Sequence, residues 1–106
     1  MKFVLVEEYD TSIVKNRVDN FLYELDKSRG GDVKKYGIHS DVQDWGKHFV
    51  IEIVGTNPID NGDVIIYSSR FLNDVNDSLL GVIERAVDNT ISVFQAYETN
   101  MGRRKS

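Results

Sequence analysis

Apolar and polar residues alternate along this chain with two different periods, and the switches between them mark out its elements. Residues 3–9, Phe-Val-Leu-Val-Glu-Glu-Tyr, start with four consecutive apolar positions and predict a strand buried on both faces. Asp10 or Thr11 then caps a helix. Within it Val14, Val18, Phe21, Leu22 and Leu25 form one stripe of a 3.6-residue period, with Lys15, Arg17, Asp19, Glu24 and Lys27 on the other side. Gly30-Gly31 ends it, since glycine readily takes the left-handed conformation of a helix C-terminus.

The period then drops to two. Residues 33–42 and 47–54 predict a hairpin about Gln43-Asp44-Trp45-Gly46. In that register Tyr36, Ile38 and Val42 share a face with Phe49, Ile51 and Ile53. A loop through Pro58 and the turn pair Asn61-Gly62 leads to a third strand, residues 64–68. From Asn73 or Asp74 to about Asn100 the helical period returns. Leu80, Ile83, Val87, Thr90, Phe94, Tyr97 and Met101 recur three and four apart, a heptad-like seam that Leu79, Val82, Ala86, Ile91 and Val93 widen. The order strand, helix, hairpins, long helix predicts an α+β fold, with helices on one face of a mostly antiparallel sheet. The first strand has a route to parallel pairing through a right-handed crossover. A single domain over residues 1–102 is expected, with a short basic tail at 103–106.

That last helix predicts association. About 27 residues make a rod of roughly 40 Å, whereas a compact chain of this length fills a sphere of roughly 33 Å diameter. The overhanging end carries Phe94, Tyr97 and Met101, which a lone copy leaves in water. Covering each is worth about 1.5–3 kcal/mol, so a homo-oligomer is expected through Leu80, Ile83, Val87, Phe94, Tyr97 and Met101, packed about a two-fold axis. The alternative is a helix that breaks near Asn89-Thr90 or frays after Ala96.

Composition narrows the classes. The 106 residues suit one domain, and 41% hydrophobic with 28% charged residues is a globular balance. No run is long and apolar enough to span a membrane, and the N-terminus lacks the pattern of a signal peptide, so a cytoplasmic location is expected. The absence of cysteine excludes disulfides, thiolate nucleophiles and cysteine-held metal sites. Net charge is −4, and between Glu52 and Glu98 eight acids face two bases, Arg70 and Arg85. An acidic body is the wrong surface for phosphate backbones, and only Arg103-Arg104-Lys105 runs the other way. Helix, three strands, helix is also the order of a double-stranded-RNA-binding domain. Asn73-Asp74-Val75-Asn76-Asp77, however, occupies the place where that module carries basic residues.

Candidate chemistry is sparse. In the hairpin register above, His39, Asp41, His48 and Glu52 share one sheet face with Asp41 opposite His48. Such a set suits a divalent ion or an acid–base pair, or equally a solvated face of cross-strand charges. Glu7, Glu8 and Asp10 crowd a strand end, a trio of the kind that suits acid–base work, or more simply a solvated strand end feeding a helix cap. Ser68-Ser69-Arg70, with Lys47 or Arg29 nearby, offers phosphate contacts without a glycine-rich loop. Trp45, the only tryptophan, sits in a turn, where such residues anchor interfaces. Trp45, Lys47, Tyr67, Ser69 and Arg70 are therefore the candidate ligand- or partner-binding residues, with no catalytic residue and no cofactor expected.

The stretch from Val4 to about Val54 resembles the small, uncharacterised sporulation-type proteins of Bacillus-like bacteria and their phages. The likeness rests on Val6-Glu7-Glu8-Tyr9-Asp10, on Asn20-Phe21-Leu22-Tyr23-Glu24-Leu25 and on the hairpin after Val33. It implies an origin in a phage or a low-GC bacterium rather than an activity. The reading that follows is a small acidic, oligomeric, non-enzymatic binding protein that sequesters a host protein or a small nucleotide-like ligand. Phage counter-defence proteins, including inhibitors of CRISPR nucleases and sponges for nucleotide signals, have this size and charge. The alternative is a metal-dependent enzyme or metal-binding protein using the His39/Asp41/His48/Glu52 face.

Overall fold

The computed structural model describes the backbone of residues 11–71 and 76–105, and side chains as far as residue 100. The expected strand at residues 3–9, the Asp10 cap and the Glu7/Glu8/Asp10 trio lie outside the described residues.

The first stripe folds as its period demands. Helix α1 (Thr11–Ser28) buries Val14, Val18, Leu22 and Leu25 on one side. It closes where Gly30 turns left-handed, at φ 66°, and the Gly31 amide donates to the Asp26 carbonyl at 2.8 Å. Residues 33–35, expected as strand, instead belong to a one-turn helix, α2 (Asp32–Lys35). The physical reason is a competing period. Val33 and Tyr36, both buried, stand three apart, and the Asp26 carboxylate accepts the Lys34 amide at 2.8 Å.

Strands β1 (His39–Asp44), β2 (Phe49–Thr56) and β3 (Asp63–Phe71) form an antiparallel sheet in the order β1-β2-β3. The β1–β2 register differs from the expected one. Asp44 pairs with Phe49, Val42 with Ile51 and Asp41 with Glu52, so the turn centres on Gly46-Lys47 rather than on Gln43–Gly46. Gly46, at φ 90°, takes the first central position, which a primed hairpin turn requires to be left-handed. The slip is an even number of residues. The inward set is therefore unchanged, because side chains alternate with a period of two. Phe49, Ile51 and Ile53 point inward against the helices, and Val50, Glu52 and Val54 line the opposite face. In β3 a bulge opposite Ile53/Val54 turns both Ile66 and Tyr67 toward the core.

Helix α3 (Asp77–Lys105) starts later than expected, capped by Asn76, whose side-chain oxygen accepts the Leu79 amide at 2.9 Å. The helix overhangs as expected, but most of the residues expected to need a partner's cover are covered by this chain itself. The radius of gyration, 16.1 Å, exceeds the roughly 13 Å of a compact chain this long. Even so, Ile83 and Val87 are wholly buried and Phe94 is 3% exposed, all inside this chain's own core. Leu80 and Tyr97 pack against the same core, and the Met101 side chain lies outside the described ones. The sphere misleads because the body is long. Strand β3 extends about 30 Å, the same as about 20 residues of helix, so the sheet covers α3 as far as Tyr97.

Polar ties lock the helical layer. Arg29, at the end of α1, donates to both Asp88 oxygens at 2.8 and 2.7 Å and to Glu84 at 2.6 Å. The Tyr36 hydroxyl donates to Glu98 at 2.6 Å, and Lys35 joins it at 3.3 Å. The Arg29 hydrogen bond holds the Asp88 carboxyl below its ordinary pKa, and the Tyr36 hydroxyl followed by Lys35 does the same for Glu98. Burial, then Glu98, pushes the Tyr36 hydroxyl up, which keeps it a donor. Both carboxyls have folded pKa values below their unfolded ones of about 3.9 and 4.3, so their contribution is complete above about pH 5 and is lost as pH falls through the folded values. Thermal midpoints are expected to fall on acidification below about pH 5, and less steeply for Asp88→Asn. A variant profile parallel to wild type contradicts this role for Asp88.

Candidate functional site, a cleft between the first helix, the short helix and the first strand

A concavity opens where α1, α2 and the start of β1 meet. It holds about 440 Å³. Its floor is apolar: Leu22 from α1, Val33 from α2 and Ile38 just before β1 are each at most 6% exposed. Its rim is polar. Lys15, Asp19, Tyr23 and Asp26 follow one another along the edge of α1, and Lys34 and His39 face them.

The rim divides into a structural end and an available end. At the first, Lys15 donates to the Ser40 carbonyl at 2.8 Å, the buried Ser40 hydroxyl donates to Asp19 at 2.5 Å, and Lys15 pairs with Asp19 at 3.4 Å. That triad satisfies its own charges, as a buried hydroxyl requires. At the second, the Lys34 ammonium and the Tyr23 hydroxyl make no hydrogen bond or ion pair among the described residues. Asp26 uses one oxygen for the Lys34 amide. The His39 Nδ1 lies 2.8 Å from the Gly37 carbonyl. A carbonyl only accepts, so in the neutral ring Nδ1 carries the proton and Nε2 is left as an acceptor facing outward. The Tyr23 ring is 62% exposed, with Lys27 over its face at 4.9 Å.

The expected metal face does not form. Asp41 stands opposite Glu52, with His39 opposite Val54. His48 falls in the turn, stacked on Trp45 with ring centroids 6.1 Å apart. No group of three potential ligands able to hold a metal ion occurs among the described residues. The structure also disperses the five candidate binding residues. Ser69 points inward opposite Ile51 while Arg70 lies on the outer face opposite Val50, so the two cannot cradle one phosphate. Tyr67 packs on the core. Arg29, the other expected phosphate contact, is committed to Glu84 and Asp88. Trp45 and Lys47 sit exposed on the hairpin turn, where Trp45 is 62% exposed and donates to Gln43 at 2.9 Å.

Sequence reasoning named His39 for the wrong partners and set Lys15 and Asp19 down as solvated charges. The available signal was the run Lys15, Asp19, Tyr23, Asp26 at four, four and three residues, a polar edge bordering the apolar stripe.

Fold and site together define an α+β protein with a helical layer on one sheet face and a cleft at the edge of that layer. Searches of family models, curated proteins and solved structures find no match to this chain. No helix among the described residues is long and apolar enough to cross a membrane.

Proposed function

We propose that this chain is a small, non-enzymatic binding protein that takes a nucleotide-like ligand into the α1–α2–β1 cleft. The observation that carries the reading is the cleft's composition: a buried apolar floor under a few convergent polar groups, at about 440 Å³. Small-molecule sites are built this way and in this size range. Lys34 suits a phosphate, the exposed Tyr23 ring suits stacking against a base, and the free Asp26 oxygen and the accepting His39 Nε2 suit an exocyclic amine or a ribose hydroxyl. Sequestration rather than turnover is the form of binding proposed. A sponge for nucleotide signals, in keeping with the resemblance to phage-encoded proteins, is the form this reading takes.

The test is a thermal-shift series with AMP, cyclic dinucleotides and ADP-ribose. A ligand at about 100 times its Kd stabilises by about 2.7 kcal/mol, which for a chain of this size is a rise of roughly 10 °C. The rise is expected to vanish in Lys34→Glu and Tyr23→Ala. No movement with any of the three probes, or a movement that both variants retain, contradicts the reading.

A second reading has one observation in its favour. Trp45 is held exposed at the tip of the β1–β2 turn by its Gln43 hydrogen bond and by stacking on His48. A pre-positioned aromatic anchor suits the capture of a host protein, as an inhibitor would achieve it.

A further inference from the structure

The cleft between α1, α2 and β1 sorts its charges into a cancelled pair and an opposed pair. Lys15 and Asp19 stand 3.4 Å apart and both bond to Ser40, so together they present no net charge to a ligand. The Lys34 ammonium is the lining cation that makes no ion pair among the described residues. Against it stands Asp26, which gives one oxygen to the Lys34 amide at 2.8 Å and keeps the other. Lys27, over the Tyr23 ring at 4.9 Å, lies 3.6 Å from Glu24, and the neutral His39 ring turns an acceptor outward.

The backbone of the α1–α2 turn adds little to that single cation. Polyphosphates are held by runs of free backbone amides, at a glycine-rich loop or a helix N-terminus. Gly30 and Gly31 follow α1 instead, and the turn closes on itself. Gly31 donates to the Asp26 carbonyl at 2.8 Å, and Asp32 donates to the Arg29 carbonyl at 3.3 Å. The Lys34 amide is taken by the Asp26 side chain. An anion on this rim therefore meets one positive charge, with a carboxylate beside it.

We infer that the cleft selects nucleotides carrying a single phosphate and rejects their diphosphates and triphosphates. The inference rests on the nucleotide reading above and narrows it. A phosphate on Lys34 has its charge met. The next phosphate along the chain finds no cation and meets the Asp26 carboxylate. Each added charge is then repelled without compensation, which weakens binding by about fourfold or more for a unit charge roughly 5 Å from another. A cyclic nucleoside monophosphate, whose diester carries one charge, is the closest match to Lys34. A monophosphate, with nearly two charges near pH 7, follows it. Asp26 is thereby the residue that sets the selectivity, acting by repulsion of the wrong ligand rather than by attraction of the right one.

The test is calorimetric titration of the full chain at low salt with nucleoside, cyclic monophosphate, monophosphate and diphosphate, in an adenine and a guanine series. Both single-phosphate probes are expected to bind more tightly than the nucleoside, and the diphosphate about fourfold or more weaker than the monophosphate. Lys34→Gln is expected to bring the monophosphate level with the nucleoside. Asp26→Asn keeps an acceptor for the Lys34 amide and removes the charge, so the diphosphate is expected to come within about twofold of the monophosphate. A folded Asp26→Asn that leaves the ratio where it was overturns the proposal, because a structural role alone gives that result. Should the variant fail to fold, salt decides: at about 0.5 M the wild-type ratio is expected to shrink through screening. A ratio that salt does not move is set by space rather than charge, and also overturns it. A diphosphate that binds as tightly as the monophosphate removes the selectivity and leaves the nucleotide reading standing. Silence from every probe in both series removes that reading, and this inference with it.

Discussion

Replacing Phe94 by Ala is expected to remove about 3–5 kcal/mol of stability, by the same amount at every protein concentration. The ring is 3% exposed and packs on Tyr36 at 5.3 Å and Tyr97 at 6.2 Å between centroids. It also reaches the strand that faces it, at Gly55. Truncation therefore loses transfer energy and leaves a cavity that three aromatic and strand neighbours cannot collapse into without moving. Urea unfolding followed by circular dichroism measures it, with the midpoint shifted and the slope retained. Concentration independence is the informative part. A ring at a subunit contact would cost stability only through the dimer, and its loss would fade on dilution. A cost under about 1 kcal/mol, or one that appears only at high concentration, contradicts the placing of Phe94 in the core.

The second large effect concerns the residue that makes room for that ring. Gly55 lies in the central strand, where valine is ordinarily the better strand former. A Cβ there would stand 3.0 Å from Ile66 Cδ1, 3.3 Å from Ile38 Cγ1 and 3.6 Å from the Phe94 ring. Gly55→Val adds two methyl groups to that Cβ and is expected to destabilise by about 1–3 kcal/mol. The strand gains propensity and the core loses its fit. Calorimetric midpoints are the measurement, and a neutral or stabilising substitution contradicts the close packing of α3 on β2. The bulge at Ile66 has its purpose here: it turns Ile66 inward to fill the space that the missing side chain leaves.

What the sequence made legible follows the physics of its periods. The stripe of α1 was legible because a 3.6-residue repeat of valine and leucine has one way to be buried. The inward face of the hairpin was legible too, although its register was not. Residue parity survives a slip of an even number of positions, whereas pairing depends on where Gly46 places the turn. That distinction decided the site. The metal face needed His48 opposite Asp41, and the turn took His48 out of the strands. The α2 turn was hidden because Val33, Tyr36 and Ile38 satisfy both periods in part.

The seam of α3 shows the opposite failure. A heptad repeat says that a helix has a packed stripe without saying against what. Leu80, Ile83, Val87 and Phe94 met the chain's own sheet, and only the length of β3 could have revealed that. The cleft was invisible for a different reason. Lys15, Asp19, Tyr23 and Asp26 become a rim only when α2 folds back beside them, a contact created by the left-handed turn at Gly30 and Gly31.

The α1–α2–β1 cleft as the binding site is the claim on which the functional account turns. Amide chemical-shift mapping of the full chain during titration with AMP, cyclic dinucleotides and ADP-ribose tests it most directly. The account predicts saturable shifts clustered at Tyr23, Asp26, Lys34 and His39 with at least one of these probes, and none at Trp45 or Arg70. Shifts that gather instead on the β1–β2 turn, or a spectrum that none of the three probes moves, would contradict it.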